Sequence, residues 1–322
     1  MARYLVTGAA GFIGARVSEF LMADGHQVLG VDDMNASYDV RMKDHRLEKL
    51  QANKAFEFHK LDIADKEAVF ALEGDFDAVF NLAARAGVRD SVADPWVYLE
   101  ANMLGTLNLL DLCRRRAIPK FILASTSSIY GDDAPLPTPE EADSSHPLQP
   151  YAATKKGAEA MCHAYHYLHG IDVTIVRYFT VYGPAGRPNM SMFRFARWIA
   201  EGVPVQVYGD GEQTRGFTYI DDIARGTILA LKKIGFEVIN LGGHETISIN
   251  ALIKLIETEV GEQAIIEHGP PAKADMQANQ ADVSKAGALL GWEPQVPLKE
   301  GIARMVAWYL AERDWASQIS VD

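Results

Sequence analysis

The chain predicts an α/β fold: a doubly wound parallel sheet with a smaller α/β substrate-binding lobe. Three observations predict it. Short β-branched runs recur through the first 180 residues and alternate with longer amphipathic stretches, the pattern of parallel strands joined by helical crossovers. A glycine-rich turn follows the first of these runs and an acid ends the second, which makes the sheet Rossmann-type. After Tyr182 the proline and glycine punctuation thickens, as it does in a loop-rich lobe closing over a cleft. The expected division is 1–180 for the sheet lobe and 181–322 mainly for the second, with the strand near 238–241 returning to the large sheet.

The strand candidates are Arg3–Thr7, Val28–Val31, Phe56–Lys60, Ala78–Asn81, Phe121–Ala124 and Val173–Arg177. Between most of them lie helix candidates, notably Phe12–Ala23, Pro95–Arg116 and Tyr151–Gly170, where apolar residues recur at helical spacing. Arg114–Arg116 end one of these, where cations suit the negative end of the helix dipole. In the second half, Phe193–Glu201, Asn250–Val260 and Lys299–Leu310 read as helices, VPVQVYGDGEQTRGFTYIDD as one short strand and VINLGG as another.

Composition excludes several functions. The 322 residues carry 31 Lys and Arg against 43 Asp and Glu, a net charge of −12. Such a surface is a poor footprint for nucleic acid or anionic lipid, which reward clustered cations. Two cysteines, Cys113 and Cys162, form no CxxC pair and imply neither a disulfide framework nor a zinc knuckle. MARYLVTGAAGFIG enters a strand at once without an export signal, and no run of about 18 apolar residues spans a bilayer. The expectation is a soluble cytoplasmic protein without membrane or nucleic-acid partners.

LVTGAAGFIGARV sets Gly8, Gly11 and Gly14 in GxxGxxG order between the first strand and the first helix. Glycine is needed where the backbone turns sharply, where it nears a pyrophosphate, and where helix and strand pack closely. The second strand ends in VLGVDD, and Asp32 there accepts hydrogen bonds from ribose hydroxyls while repelling a 2′-phosphate, so NAD is expected over NADP. Arg16, Arg41 and Lys43 are read as solvated surface charge. Phe12, Ile13 and Asn35 are expected beside the cofactor, with Asp62 and Ile63 after the third strand, Leu82, Ala83 and Ala84 after the fourth, and Asn102 beyond.

SSHPLQPYAATKKGAEAM places Tyr151 and Lys155 four apart, on one face of a helix. A buried tyrosine serves as a base only when its phenolate is stabilised, and a neighbouring ammonium does that. Thr126, in LASTSSIYG after a strand, offers a hydroxyl to the same substrate oxygen. Cofactor, base, lysine and hydroxyl together describe hydride transfer at a carbinol carbon. His163, His166 and His169 fan over about 120° of their helix, too widely for one metal, so no metal site is expected.

TGAAGFIG, the strand-end Asp32, STSSIYG, YAATKK and RYFTVYGP resemble the extended short-chain dehydrogenase/reductase family, and within it the nucleotide-sugar epimerases. The resemblance runs through VYGDGEQTR and ADVSKAGALLGWEP in the second lobe. NASYDVRMKDHRLEKL, AARAGVRDS and RYFTVYGPAGRPNM are similar to the UDP-glucuronic acid 4-epimerases of that family. Ser127 and Ser128 stand where sugar 4,6-dehydratases carry an acidic pair, and Thr180 where neutral-sugar epimerases usually have Asn. Short hydroxyls donate to a carboxylate without the repulsion of an acid.

The resemblance implies a reversible 4-epimerisation through a 4-ketone, with Tyr151, Lys155 and Thr126 catalytic and NAD tightly bound. It implies Arg187 and Arg215 at the UDP pyrophosphate, Arg89 as a further cation there, Gln206 and Tyr208 near the uracil, and Asp275 on a ribose hydroxyl. Departures from the family pattern are Ala185 in place of a common Arg, Gly216 in place of Asp, and Ala272-Lys273-Ala274-Asp275 in place of a Pro-Gly-Asp segment. A homodimer is expected through Pro95–Arg116 and Tyr151–Gly170. A UDP-hexose 4-epimerase, a UDP-glucuronate decarboxylase and a non-catalytic nucleotide-sugar binder stay open as alternatives.

Overall fold

In a computed structural model, residues 1–270 and 278–321 are described. Twelve strands follow in chain order: β1 (Arg3–Thr7), β2 (Gln27–Asp32), β3 (Phe56–Lys60), β4 (Ala78–Asn81), β5 (Lys120–Thr126), β6 (Asp172–Tyr178), β7 (Thr180–Tyr182), β8 (Val205–Tyr208), β9 (Thr214–Tyr219), β10 (Phe236–Leu241), β11 (Glu245–Ser248) and β12 (Ile266–Gly269). Seven of them form one sheet in the order β10-β6-β5-β4-β1-β2-β3, every pairing parallel. The order reverses beside β1, and in such sheets ligands bind at that switch point, outside the carboxyl ends of the strands.

Both faces of this sheet are covered, so its strands read as near-continuous apolar runs. One face packs Val6, Phe80, Ile122 and Val176 against the helix Phe12–Ala23 and the helix Ile220–Leu229. On the other, Leu5, Val79, Phe121 and Ile175 meet the helices Gly105–Arg116 and Pro150–His169. The Phe236–Leu241 strand, contributed from the second half, pairs with β6 at the sheet edge. A smaller body holds a three-stranded sheet, β11-β9-β7, and the parallel pair β12-β8. Its core of Phe195, Ile199, Phe217, Leu252 and Ile302 joins the helices Ser191–Ala200, Ile249–Val260 and Leu298–Ala311.

Three expectations are corrected. The span Pro95–Arg116 is not one helix: Trp96–Tyr98 passes into a π-helical stretch, Leu99–Leu104, before α-helix resumes at Gly105–Arg116. Here Thr106 Oγ1 donates to the carbonyl of Asn102 (2.6 Å) while Asn102's own amide is drawn to Arg85 and Thr154, and π turns of this kind cluster near functional sites. The expected single strand over 203–222 splits at the Gly209–Gly211 turn into β8 and β9, which join different sheets, since both glycines hold positive φ. Arg41–Gln51, for which no helix was expected, is helical, its polar sequence burying Met42, Leu47 and Leu50 on one side.

Candidate active site

A cleft of about 1000 Å³ runs along the carboxyl ends of β1, β2, β4 and β5 and is closed by the second body. At one end lies the glycine turn. Gly8 has φ +68°, and a Cβ there would stand 2.7 Å from the amide nitrogen of Ala83. A Cβ on Gly14 would stand 2.1 Å from the carbonyl oxygen of Gly8, so side chains are excluded where helix and strand meet. The helix that follows begins at Phe12 with no side-chain cap and no acid in its first turn, leaving its amides to an anion. The turn therefore fits a dinucleotide pyrophosphate on its own geometry. Gly11, Phe12, Ile13, Asn35, Asp62, Ile63, Leu82, Ala83 and Ala84 all line the cleft.

Asp32 is buried at the tip of β2. Its Oδ2 accepts the amide of Ala10 (3.2 Å) and its Oδ1 the amide of Met34 (2.9 Å). Its third partner overturns an expectation. Lys43, read as surface charge, is buried on the helix Arg41–Gln51 and donates to Asp32 Oδ1 at 3.1 Å, with Asp33 3.7 Å away. Arg41 is the exposed member, paired with Asp39, and Arg16 is half-buried against Asp221 of the helix Ile220–Leu229. Asn102 is also corrected: it lies behind the cleft wall, its Oδ1 accepting the amide of Arg85 (3.0 Å) and its Nδ2 donating to Arg85 O and Thr154 Oγ1. It shapes the wall by holding the backbone of Arg85.

Tyr151 opens the helix Pro150–His169 and faces the cleft, its ring edge-on to Tyr98 at 6.1 Å. Burial raises its phenol above the ordinary value of 10.0, and the Thr126 hydroxyl and the charge of Arg187 offset part of that rise. One turn on, Lys155 is almost fully buried and Nζ donates to the carbonyl of Ala124 (2.9 Å). Burial pushes its amine down to about 8, opposed by the nearby charge of Glu159. Thr126 ends β5 and caps the tight turn Ser127–Tyr130, its Oγ1 accepting the amide of Ser128 (3.1 Å) and donating to Ser128 Oγ (3.2 Å). Ser127, Ser128 and Thr180, which opens β7, line the same end.

The cations divide by position. Arg187 lies toward Tyr151: its charge reaches Tyr151 and Tyr98, and Nη2 donates to Ala86 O at 3.3 Å. Its Nε is buried with no hydrogen-bond partner among the described residues. Arg89 lies over the ring of Tyr208 at 5.3 Å. Gln206 donates to Glu267, and Arg215 Nη1 to the carbonyl of Thr214. All four residues line the cleft. Asp275 lies outside the described residues.

Spacing had not marked Arg46, Tyr38 or Glu159. Glu159 sits one turn beyond Lys155, and its buried carboxylate accepts Arg177 Nε and Nη2 at 2.9 and 2.7 Å and Ser125 Oγ at 2.6 Å. The signal for it was present, since YAATKKGAE continues the same helical face. The histidines of that helix serve packing: His163 meets the ring of Phe236 at 4.9 Å and His166 Nδ1 bonds Ile171 O at 2.8 Å.

The comparisons agree with this geometry. A UDP-glucuronate 4-epimerase of Thermodesulfobacterium geofontis is 52% identical over 311 residues, 96% of each chain. The crystal structure of UDP-glucuronic acid 4-epimerase from Bacillus cereus, in complex with UDP-glucuronic acid and NAD, is 38% identical with a TM-score of 0.91, covering 96% of this chain and 99% of that one. UDP-glucose 4-epimerase of Thermotoga maritima with UDP-glucose gives a TM-score of 0.90 at 33% identity, covering 97% of this chain and 99% of that one. The model of the NAD dependent epimerase/dehydratase family matches residues 4–242, and with the glycine turn, Asp32 and the Tyr151–Lys155 face in place, the chain belongs to that family.

Proposed function

We propose that the chain is a UDP-glucuronate 4-epimerase, interconverting UDP-glucuronic acid and UDP-galacturonic acid through a transient 4-ketone with NAD tightly bound. One observation carries the choice of substrate: Arg187 and the short hydroxyls Thr126, Ser127, Ser128 and Thr180 line the cleft with Tyr151, and the β5, Ser127–Tyr130 and β7 segments that bring those hydroxyls carry no acid. A carboxylate on the sugar finds hydrogen-bond donors there.

NAD in the cleft supplies reversible acceptance of the C4 hydride. Tyr151 takes the proton of the 4-OH and returns it, so its phenolate must form in a buried place. Lys155 and Arg187 bring the positive charge that favours it, and Thr126 donates to the same oxygen. The 4-ketone of a uronic acid is a β-keto acid and loses CO₂ when the C5–C6 bond aligns with the carbonyl π system. Thr180, Ser128 and Arg187 hold the carboxylate out of that alignment. This moves Arg187 from the expected pyrophosphate contact to the sugar, and leaves Arg89, Arg215, Tyr208 and Gln206 for the UDP. Asp275 on a ribose stays a proposal from sequence.

The protein works as a homodimer in this reading. Trp96, Leu99 and Leu104 are exposed on the segment packed against Pro150–His169, whose Tyr167 and Leu168 are exposed as well, and an apolar face of this kind suits a second copy. Among the described residues no helix is long and apolar enough to cross a membrane. Two buried free cysteines suit a reducing cytoplasm.

Incubation with UDP-glucuronate and no added NAD, followed by NMR of the products, tests the proposal. UDP-galacturonate is expected. UDP-xylose or a 4-keto-pentose means a decarboxylase, and turnover confined to UDP-glucose and UDP-galactose means a neutral epimerase.

A further inference from the structure

The helix Arg41–Gln51 carries a second buried cation, Arg46, three residues beyond Lys43. Its guanidinium touches three separate segments. Nη1 donates to the carbonyl of Ala10 (3.1 Å), inside the glycine turn, and to the hydroxyl of Tyr38 (2.9 Å), on the loop after β2. Nε and Nη2 both donate to the carbonyl of Ala185 (2.9 and 2.7 Å), and Nη2 reaches Gly186 O at 3.2 Å. These last contacts join positions 139 and 140 residues apart and hold the turn that leads directly into Arg187.

That turn needs holding. Ala185 has φ +53°, a left-handed conformation that a residue with a Cβ adopts at a cost. Two donors from Arg46 fix its carbonyl in that state. Tyr38 closes the arrangement, with Arg46 Cζ 5.7 Å and Arg187 Cζ 5.8 Å from its ring. Arg187 itself makes one long hydrogen bond, to Ala86 O at 3.3 Å, and its Nε has none among the described residues. Its place is therefore set by the Tyr38 ring and by its backbone, whose carbonyl accepts Met190 N–H (3.2 Å) and whose preceding turn Arg46 holds.

We infer that Arg46 is a positioning residue, a clasp that registers Arg187 against the glycine turn and so sets the sugar's anionic end relative to the cofactor. The inference rests on the reading of the cleft as a UDP-uronate site. The physical need is that the donor to the sugar's carboxylate keeps a fixed register to the frame that holds the cofactor, so that C4 stands at reacting distance in the bound pose. A cation placed by its own long side chain drifts by more than such a reaction tolerates. A clasp between two backbone turns removes that freedom. Lysine in place of Arg46 keeps the charge but cannot reach three segments, because it offers one nitrogen where the guanidinium offers a planar fork.

The test is calorimetric binding of UDP-glucuronate and of UDP to the holoenzyme and to Arg46→Lys, Arg187→Met and the double variant, with NAD content and Tm recorded for each. Arg46→Lys is expected to weaken UDP-glucuronate about tenfold and UDP less than about twofold, and to add nothing in the Arg187→Met background. Tyr38→Phe, which removes one bond of the clasp without touching the 185–186 turn, is expected to weaken UDP-glucuronate about threefold and keeps the test open should Arg46→Lys fold poorly. Unchanged UDP-glucuronate affinity in both single clasp variants, or losses that multiply in the double variant, overturn the inference. A wild-type holoenzyme that binds UDP no less tightly than UDP-glucuronate, with Arg187→Met unchanged, overturns the substrate reading instead.

Discussion

Lys43 Nζ lies 3.1 Å from Asp32 Oδ1, and both side chains are almost fully buried. A carboxylate in that state is held in one orientation, with Ala10 and Met34 donating from the backbone. In the role proposed for it, such a carboxylate offers a ribose a fixed acceptor and repels a 2′-phosphate at close range.

Asp32→Ser removes the repulsion and leaves Lys43 to receive a phosphate. The purified variant is expected to lose most of its NAD and to gain at least about tenfold in affinity for NADP relative to NAD, read by cofactor titration and chromatography of the released nucleotide. Undiminished NAD with no gain for NADP counts against the assignment.

The proton balance at Tyr151 and Lys155 gives a pH prediction. The working form, phenolate with ammonium, has the same proton count as neutral phenol with neutral amine, so a pH profile reports the sum of the two and not either one alone. Burial sets the Lys155 amine at about 8 and the Tyr151 phenol above 10.0. The acid limb of kcat/KM is expected near or below the Lys155 value, because an ammonium beside it draws the phenol down. Lys155→Met removes that charge, and the limb moves up toward the raised value of an unassisted Tyr151.

Stability carries the same sign check. Lys155 has its folded pKa below its ordinary 10.5, so between about 8 and 10.5 the folded chain binds fewer protons and stability rises with pH from this group. Below about 8 the lysine is charged in both states and its burial is a constant cost. Denaturant titrations from pH 7 to 10 should show wild type gaining on Lys155→Met.

In the proposed mechanism Thr180 and Ser128 decide the fate of the 4-ketone. Thr180→Val and Ser128→Ala each remove a donor at the Tyr151 end without adding charge. The expected outcome is slower epimerisation, by about tenfold, accompanied by CO₂ and UDP-4-keto-pentose seen by NMR. Normal turnover with no new product in both variants removes these hydroxyls from the argument.

What the sequence disclosed follows the range of the interactions. Gly8, Gly11 and Gly14, Asp32, and the Tyr151–Lys155 pair are legible because a turn, a strand end and a helical face are local periodicities. Arg41–Gln51 escaped because only Met42, Leu47 and Leu50 of its eleven residues carry an apolar signal. Lys43 and Arg46 looked like surface charge for the same reason, since their partners Asp32 and Ala185 stand 11 and 139 positions away. Asn102 was misassigned because its burial follows from a π turn that no propensity marks. The 203–222 run reads as one strand only if the Gly209-Asp210-Gly211 turn signal inside it is passed over, and the two halves pair in different sheets.

Glu159 and Arg177 supply the last prediction. Their buried ion pair is bidentate, at 2.7 and 2.9 Å, and it ties the helix carrying Tyr151 and Lys155 to β6, while Ser125 on β5 donates to the same carboxylate. The network runs on through Arg177 Nη1 to the Tyr130 hydroxyl and from there to Asn240 of β10. Glu159→Gln leaves Arg177 as an uncompensated buried charge, at an expected cost of about 3–5 kcal/mol in denaturant unfolding. Ser125→Ala breaks one hydrogen bond of the same group and should cost about 1 kcal/mol. The double variant Glu159→Gln/Arg177→Met removes both charges and should cost clearly less than the sum of the two single changes, because the penalty lies in the orphaned ion. Additive losses would mean that the pair acts by packing alone, and the tie between the catalytic helix and the sheet would then rest on the apolar contacts of Ala158 and Cys162 with the strands.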